Sequence, residues 1–201
     1  MTTLQQRAQV STNMTPDSVC RVNMPVVTFS ALWAGYPASP PYQDPKTGKP
    51  PAGFENQCAI KISVALHGAG IEMKSFKGAA IHLNGKKTAI RASELAGWLK
   101  LQPFCGLPAK AAVITGSDWQ ERIKDRTGIV YFEDYWARQG ETATPTGDHI
   151  DLWDGSGLTY SVVNRVRRMG VQQLRWLPWP LDGLNFSDLA ASRQILFWEI
   201  K

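Results

Sequence analysis

The sequence of 201 residues predicts an α+β fold, in which an early helix precedes a strand-rich second half. Residues 56–70 are small or apolar in nearly every turn, which predicts a buried helix with Asn56 as its N-cap and with Gly68 and Gly70 at its end. Segments rich in β-branched and aromatic residues predict strands, namely 127–132, 149–153, 158–163 and 195–200.

Three shorter helices and one long loop are also predicted. Thr28 or Ser30 is a suitable N-cap for a helix that ends at the first proline of the loop. The other two helices are predicted over residues 93–99 and from the capping-box spacing of residues 117–120. The loop, residues 37–53, contains six Pro, and a loop of this length inside a compact domain is usually functional or mobile.

Composition excludes several classes of protein. The 17 Gly and 13 Pro follow no fixed period, which excludes collagen, and 8 Trp, 7 Phe and 5 Tyr are too many for a disordered chain. No apolar run approaches the length of a membrane span, and the first 25 residues lack the apolar core of a signal peptide. We expect a chain made in the cytoplasm, with residues 1–27 as an N-terminal arm and residues 28–201 as a single domain.

The net charge of +5 favours an anionic partner, such as nucleic acid, an anionic lipid or a cell-wall polymer. The one dense basic run, residues 165–168, is better explained as a solvated helix face than as a binding patch. Tryptophan residues are scattered among apolar runs instead of alternating with Lys or Arg, which argues against a surface for single-stranded nucleic acid.

The three cysteines of the chain, Cys20, Cys58 and Cys105, lack the paired spacing of a zinc site and are too few for a disulfide framework. Cys20 and Cys105 could pair in an oxidising compartment, which would leave Cys58 free. Cys58 lies in the first turn of the predicted helix at 56–70, where the positive end of the helix stabilises a thiolate. Cys58 is therefore either a small core residue or a nucleophile.

His149 is the histidine best placed to act as a base for such a nucleophile, because it begins a predicted strand directly after a polar stretch. A third group should orient its ring, and Asp151 shares the same strand face, whereas Asp148 and Asp154 would need turn geometry. Trp153 either belongs to the core or lines a cleft. The other two histidines, His67 and His82, are expected to be surface or turn residues.

Several motifs resemble those of one family of bacterial enzymes. These are Phe-Glu-Asn-Gln-Cys-Ala-Ile-Lys-Ile-Ser at 54–63, Gly-Ile-Val at 128–130 leading to Trp136, and Gly-Asp-His-Ile-Asp-Leu-Trp-Asp-Gly at 147–155. Together with an early Trp33…Tyr36-Pro37 pattern, they resemble the fourth family of type VI secretion amidase effectors, which are papain-like, NlpC-type cysteine peptidases injected into rival bacteria. The resemblance implies a nucleophile helix packed on an antiparallel sheet.

The resemblance also implies an activity: cleavage of the γ-D-glutamyl–diaminopimelate bond in peptidoglycan stem peptides, with Cys58 as nucleophile and His149 as base. Family members place an acidic residue about eleven positions after the histidine, and Tyr160 stands there in this chain. We therefore predict Asp151 as the third catalytic residue, with Asn164 as second choice. We further predict that Asn56, Gln57 and Trp153 contact the substrate.

The predicted mechanism is acyl transfer through a thioester, with backbone N–H groups at the start of the Cys58 helix holding the oxyanion. It needs no metal and no cofactor. The resemblance implies a cognate immunity protein, delivery by the type VI secretion machinery and action in the periplasm of target bacteria, with no nucleic-acid partner and no membrane insertion. The alternatives are a non-catalytic wall-binding module and a single-strand nucleic-acid-binding protein.

Overall fold

The computed structural model describes the backbone of residues 5–11, 19–136, 146–159 and 189–201. Side chains are described within 25–135, 146–159 and 189–201. The helices are α1 (Phe29–Gly35), α2 (Cys58–Gly68), α3 (Ala92–Leu99) and α4 (Trp119–Arg122), with one 3-10 turn at Leu189–Ala191. The strands are β1 (Gln5–Ser11), β2 (Val19–Pro25), β3 (Ala80–Leu83), β4 (Lys86–Ala89), β5 (Ala112–Val113), β6 (Gly128–Trp136), β7 (Gly147–Trp153) and β8 (Gln194–Glu199).

The central sheet has the strand order β5-β8-β6-β7, and each neighbouring pair is antiparallel. Strand β6 lies between β7 and β8, with Phe132 opposite His149 on one side and opposite Ile195 on the other. The predicted α+β class with an antiparallel sheet is therefore confirmed. The predicted strands at 127–132, 149–153 and 195–200 correspond to β6, β7 and β8.

Hydrophobic residues on the two faces of the sheet form two cores. Ile129 and Tyr131 of β6 pack in the first core with α2 and α3, whereas Val130 and Phe132 pack in the second core with Trp119 of α4. This alternation follows from the two-residue period of a strand. The helix that carries Cys58 therefore packs against one face of the sheet.

The hydrogen bonds of Ser63 and the close approach of α1 fix the position of α2. The Ser63 hydroxyl donates to the Ala59 carbonyl at 2.9 Å and accepts from the Ala89 N–H of β4 at 3.1 Å. On the side facing α1, a Cβ added at Gly35 would lie 3.1 Å from the Ala65 carbonyl oxygen and 3.4 Å from the Gly68 Cα. The absence of a side chain at Gly35 thus allows α1 and α2 to approach closely, which positions the residue that follows α1.

Local details differ from some sequence-based predictions. The Thr28 side chain accepts from the Ala31 N–H and caps α1, as predicted. The prediction of Asn56 as N-cap of α2 is wrong, because the N-cap lies one residue later, at Gln57, which makes no side-chain capping bond. The predicted capping box at 117–120 is also absent, and Asp118 precedes α4 without a capping bond.

Two hairpins were not predicted. Strands β3 and β4 are joined by Asn84 and Gly85, whose positive φ values of 50° and 74° suit a tight hairpin turn. Strands β1 and β2 form a separate antiparallel pair in the N-terminal region. The predicted strand at 158–163 reaches the described residues only at 158 and 159, where Leu158 bridges to Trp153. In the described part of the chain, no helix is long and apolar enough to cross a lipid bilayer.

Candidate active site

Cys58 is the first residue of α2, and its side chain is buried except for a small exposed fraction. The preceding Gln57 binds the backbone of the proline-rich loop twice: its Nε2 donates to the Tyr42 carbonyl at 2.6 Å, and its Oε1 accepts from the Tyr42 N–H at 3.0 Å. The Gln57 side chain is thereby used in fixing the loop against the start of α2 and does not cap the helix. The positive end of the helix remains directed at the Cys58 side chain.

His149 lies on β7 and is held by aromatic rings. The Phe132 ring stacks on its imidazole with a centroid distance of 6.2 Å, and the Tyr135 ring meets it edge-on at 6.2 Å. The Nε2 atom lies 3.6 Å from Asp151 Oδ2 and has no hydrogen-bond partner among the described residues. The imidazole also interacts with the Cys58 thiol.

The electrostatics of this arrangement favour a charged imidazole. Burial alone would lower the pKa of His149, but the interactions of the ring with Asp151 and Cys58 outweigh burial and raise the pKa from 6.5 to about 9. At neutral pH the ring is then an imidazolium. A thiolate beside an imidazolium is the reactive form of a cysteine nucleophile.

Asp151 is fully buried, and several donors fix its carboxylate. Its Oδ1 accepts from the Thr159 hydroxyl at 2.6 Å and from the Leu152 N–H at 2.9 Å, and the Tyr36 hydroxyl is a further hydrogen-bond partner of the carboxylate. The other oxygen, Oδ2, faces His149. A buried carboxylate held in this way can orient an imidazole ring.

The other acidic candidates have different surroundings. Asp148 Oδ1 accepts from the Tyr131 hydroxyl at 3.0 Å and from the Asp134 N–H at 3.2 Å, at the point where β6 is irregular. Asp154 Oδ1 accepts from backbone N–H groups of the turn that follows β7. Of the three acids considered, Asp151 is the one that lies against His149. Asn164, the second choice for this role, lies outside the described residues.

Two residues of the site were missed by the sequence-based prediction of its members. These are Tyr36, which follows α1, and Lys61 on α2. Burial and the charge of Asp151 raise the pKa of Tyr36. The Lys61 Nζ lies 5.7 Å from the centroid of the Tyr36 ring. Burial lowers the pKa of Lys61, although the charges of Asp151 and Cys58 oppose that change. Lys61 could have been found from its spacing to Cys58, because residues three apart lie on the same face of a helix.

A cavity of about 480 Å³ opens beside Cys58. Asn56 is exposed and lines this cavity, so the structure brings it close to the thiol. Trp153 does not line a cleft, contrary to the prediction: it is 2% exposed, packs edge-on against Trp119, and donates its Nε1–H to the Ile123 carbonyl. Because its indole is directed into the second core, it forms part of the packing of the sheet.

The remaining histidine and cysteine predictions have mixed outcomes. His67 is not a surface or turn residue: it is buried at the end of α2, with Nδ1 at 2.6 Å from the Ile71 carbonyl oxygen and Nε2 at 2.8 Å from that of Lys87. His82 is exposed on β3, as predicted. Cys105 is a free, half-buried thiol. Over the described residues, no cluster of His, Cys, Asp and Glu could hold a metal ion.

Solved structures similar to this chain include bacterial effectors. The Tae4 effector from Enterobacter cloacae aligns with 89% of this chain and 99% of its own, with a TM-score of 0.59 and 19% identity. An effector–immunity structure, Tae4/Tai4 from Salmonella typhimurium, aligns with 87% of this chain and 98% of its own, with a TM-score of 0.53 and 15% identity. Salmonella typhimurium Tae4 in complex with Tai4 from Enterobacter cloacae gives a TM-score of 0.52 at 18% identity, over 87% of this chain and 99% of its own.

At the level of sequence, the profile of the family described as "Type VI secretion system (T6SS), amidase effector protein 4" matches residues 54–198. That range includes Cys58, His149 and Asp151 and covers most of the chain. No curated protein matches the chain significantly. The match to the family profile, together with the shared fold, shows that this chain belongs to the Tae4 family of type VI secretion system amidase effectors.

Proposed function

We propose that the chain cleaves the γ-D-glutamyl–diaminopimelate bond of peptidoglycan stem peptides, with Cys58 as nucleophile, His149 as general base and acid, and Asp151 as the orienting group. As a Tae4 family member it is an antibacterial amidase effector that acts on peptidoglycan. The observation that carries the residue assignment is the contact of one buried imidazole with both a helix-start thiol and a buried carboxylate. That arrangement has the geometry of a nucleophile, a base and an orienting group.

The reaction begins from the thiolate of Cys58 and the imidazolium of His149. The sulfur attacks the γ-carbonyl carbon of the D-glutamyl residue, and the tetrahedral intermediate collapses when His149 donates its proton to the leaving amine of the diamino acid. A water molecule then enters, loses a proton to His149, and attacks the thioester carbonyl. Release of the D-glutamyl carboxylate regenerates the thiolate, and the proton remains on His149.

The oxyanion of each tetrahedral intermediate needs donors near the sulfur. The N–H groups of the first turn of α2, including that of Cys58, are suited to this role because Gln57 does not cap them with its side chain. Gln57 instead contacts Tyr42, and we assign it the task of fixing the proline-rich loop at the rim of the cavity. Asn56 lines the cavity and remains our candidate for substrate contact.

We also propose a cognate immunity protein that covers the cavity beside Cys58. The solved relatives include complexes of Tae4 with Tai4 immunity proteins, which supports a partner of the same kind here. The family also implies delivery by the type VI secretion machinery, and we propose that the chain acts in the periplasm of the target cell, where its substrate lies.

Cleavage of a purified tetrapeptide muropeptide, with products identified by mass spectrometry, tests the bond and the nucleophile. Cys58→Ala should lower the rate roughly a thousandfold or more, because removal of one member of a nucleophile and base unit disables the whole unit. Cys105→Ala is the matched control, since Cys105 is the other free cysteine of the described residues. Residual cleavage by Cys58→Ala at a tenth of the parent rate would refute the assignment.

Toxicity in bacteria tests the site of action. We expect lysis or rounding when the chain is directed to the periplasm, and no toxicity when it stays in the cytoplasm, because the wall peptide is reached only from the periplasm. Killing of equal strength from the cytoplasm, or killing that survives Cys58→Ala, would point instead to a nucleic-acid or other cytoplasmic target.

A further inference from the structure

The cavity beside Cys58 carries charges of both signs that the proposed chemistry does not use. One cation, Arg91, and two carboxylates, Glu55 and Asp148, line it together with Asn56 and Cys58. Its volume of about 480 Å³ is in the range of sites that hold small ligands. A polar cavity with both charges next to a nucleophile is suited to a substrate group that is itself zwitterionic.

Arg91 stands at the N-cap of α3 and lines the cavity together with the loop residues 53–56. Its Nη1 donates to Glu94 Oε1 at 2.9 Å, and its side chain is 66% exposed. A guanidinium carries several donors in a planar fork, so the contact with Glu94 leaves donors that suit a second carboxylate. The ion pair with Glu94 holds the guanidinium at the cavity in the absence of substrate.

Asp148 supplies the opposite charge and is held by more hydrogen bonds than Arg91. Both of its contacts, from the Tyr131 hydroxyl and from the Asp134 N–H, are accepted by Oδ1. The Oδ2 atom therefore retains capacity to accept from an ammonium group. Asp148 also precedes His149 directly in β7, which ties its position to that of the proposed base.

We propose that this cavity is a subsite for the end of the diamino acid that carries a carboxylate and an ammonium group, with Arg91 binding the carboxylate and Asp148 the ammonium. The inference rests on the proposed function, because it places the leaving diamino acid next to Cys58. It makes Arg91 a specificity-determining residue. Diaminopimelate presents both groups at its free end, whereas lysine presents only the ammonium, so the subsite should favour diaminopimelate peptides.

The test compares kcat/KM for two synthetic peptides that contain γ-D-glutamyl-diaminopimelate or γ-D-glutamyl-lysine. Arg91→Gln should lower the value for the diaminopimelate peptide by roughly tenfold to a hundredfold, as expected for one charged hydrogen bond, and should change the lysine value little. Asp148→Asn should lower both values, because both peptides carry the ammonium. Arg122→Gln is the matched control: Arg122 is an exposed arginine paired with Asp118 on α4, and its loss should change neither value.

Equal fractional losses on both peptides in Arg91→Gln, or no loss on either, would overturn the assignment. A third peptide, with D-isoglutamine in place of D-glutamate, tests whether Arg91 binds the α-carboxylate of D-glutamate instead of the carboxylate of diaminopimelate. If Arg91→Gln removes the preference for D-glutamate and keeps the preference for diaminopimelate, Arg91 binds the α-carboxylate of D-glutamate and the diamino-acid subsite is refuted.

Calorimetric binding of the same peptides to Cys58→Ala separates this inference from the proposed function. Tighter binding of the diaminopimelate peptide than of the lysine peptide, lost when Arg91→Gln is added, supports the subsite even if the parent protein cleaves neither peptide. Equal affinities for the two peptides would overturn the subsite even if cleavage is observed.

Discussion

The two sides of the Cys58–His149 contact differ in how firmly they are built. On one side, Asp151 is fully buried and accepts from Thr159 and Leu152, with Tyr36 as a further partner. We call this side the support side. On the other side, the cavity is lined by exposed or half-buried groups such as Arg91, whose ion pair with Glu94 lies at the surface.

The difference separates the groups that set the chemistry from those that meet the substrate. Hydrogen bonds and charges act strongly inside a protein, so a buried carboxylate can hold an imidazole in one orientation and one protonation state. Exposed ion pairs contribute little to stability and can exchange partners when a ligand binds. Substitutions on the support side should therefore change turnover, whereas those on the cavity side should change substrate preference.

The largest effect is expected from His149→Ala. Loss of the imidazole removes both the base and the proton donor, so kcat for muropeptide cleavage should fall roughly a thousandfold or more. His82→Ala, which changes an exposed histidine on β3, is the control and should retain full activity. A His149→Ala protein that keeps a tenth of the parent activity would contradict the role of His149.

Asp151→Asn tests the support side directly. The amide keeps the shape of the carboxylate but favours the wrong imidazole tautomer, a change that costs about 10⁴-fold in a serine triad. The loss in kcat should be smaller here, because a thiolate–imidazolium pair depends less on its orienting group. Asp154→Asn, in the turn after β7, is the control.

The outcome for Asp151→Asn also decides between the two candidates for the third residue. Full activity in Asp151→Asn combined with loss of activity in Asn164→Ala would assign the role to Asn164. Full activity in both variants would leave a Cys58–His149 dyad.

The pH dependence of kcat/KM tests the support side through the protonation of His149. The pKa of His149 is raised to about 9, so the imidazolium persists at neutral pH and is lost as the pH rises through about 9. Activity should fall along this alkaline limb. The contribution of His149 to stability is complete below its ordinary pKa of 6.5 and should be lost as the pH rises from there through about 9.

Asp151→Asn should move the alkaline limb to lower pH, since the carboxylate is one of the groups that raise the pKa of His149. Asp154→Asn should leave the limb in place. An unchanged limb in Asp151→Asn would show that the carboxylate does not act on the imidazole.

The smallest effect on activity is expected from Ser63→Ala, which lies on α2 away from both sides of the contact. Its loss leaves the buried Ala89 N–H without its acceptor, which should lower the free energy of unfolding by about 1–3 kcal/mol. Denaturant unfolding measures this change, with the exposed Ser30→Ala as control. A large loss of kcat in a folded Ser63→Ala protein would mean that the site depends on the exact seating of α2.

Much of the fold could be predicted from local sequence patterns. The small, apolar residues of α2 and the β-branched and aromatic residues of β6, β7 and β8 each favour one secondary structure over short range. The hairpin at Asn84 and Gly85 was missed although its turn residues indicate it, because its strands are only four residues long. The N-cap of α2 was misplaced by one residue, and the Gln57 side chain at that position binds the loop instead of capping the helix.

The sequence by itself determined the α+β class, the position of Cys58 at the start of a helix and that of His149 on a strand, because propensity and spacing act within a few residues of the chain. Only the tertiary structure decided which groups surround them. It placed His149 against Cys58, brought Tyr36 to the carboxylate of Asp151, and directed Trp153 into the core. Those contacts join segments far apart in the chain, and they depend on how α1, α2 and β7 pack together, which no local pattern records.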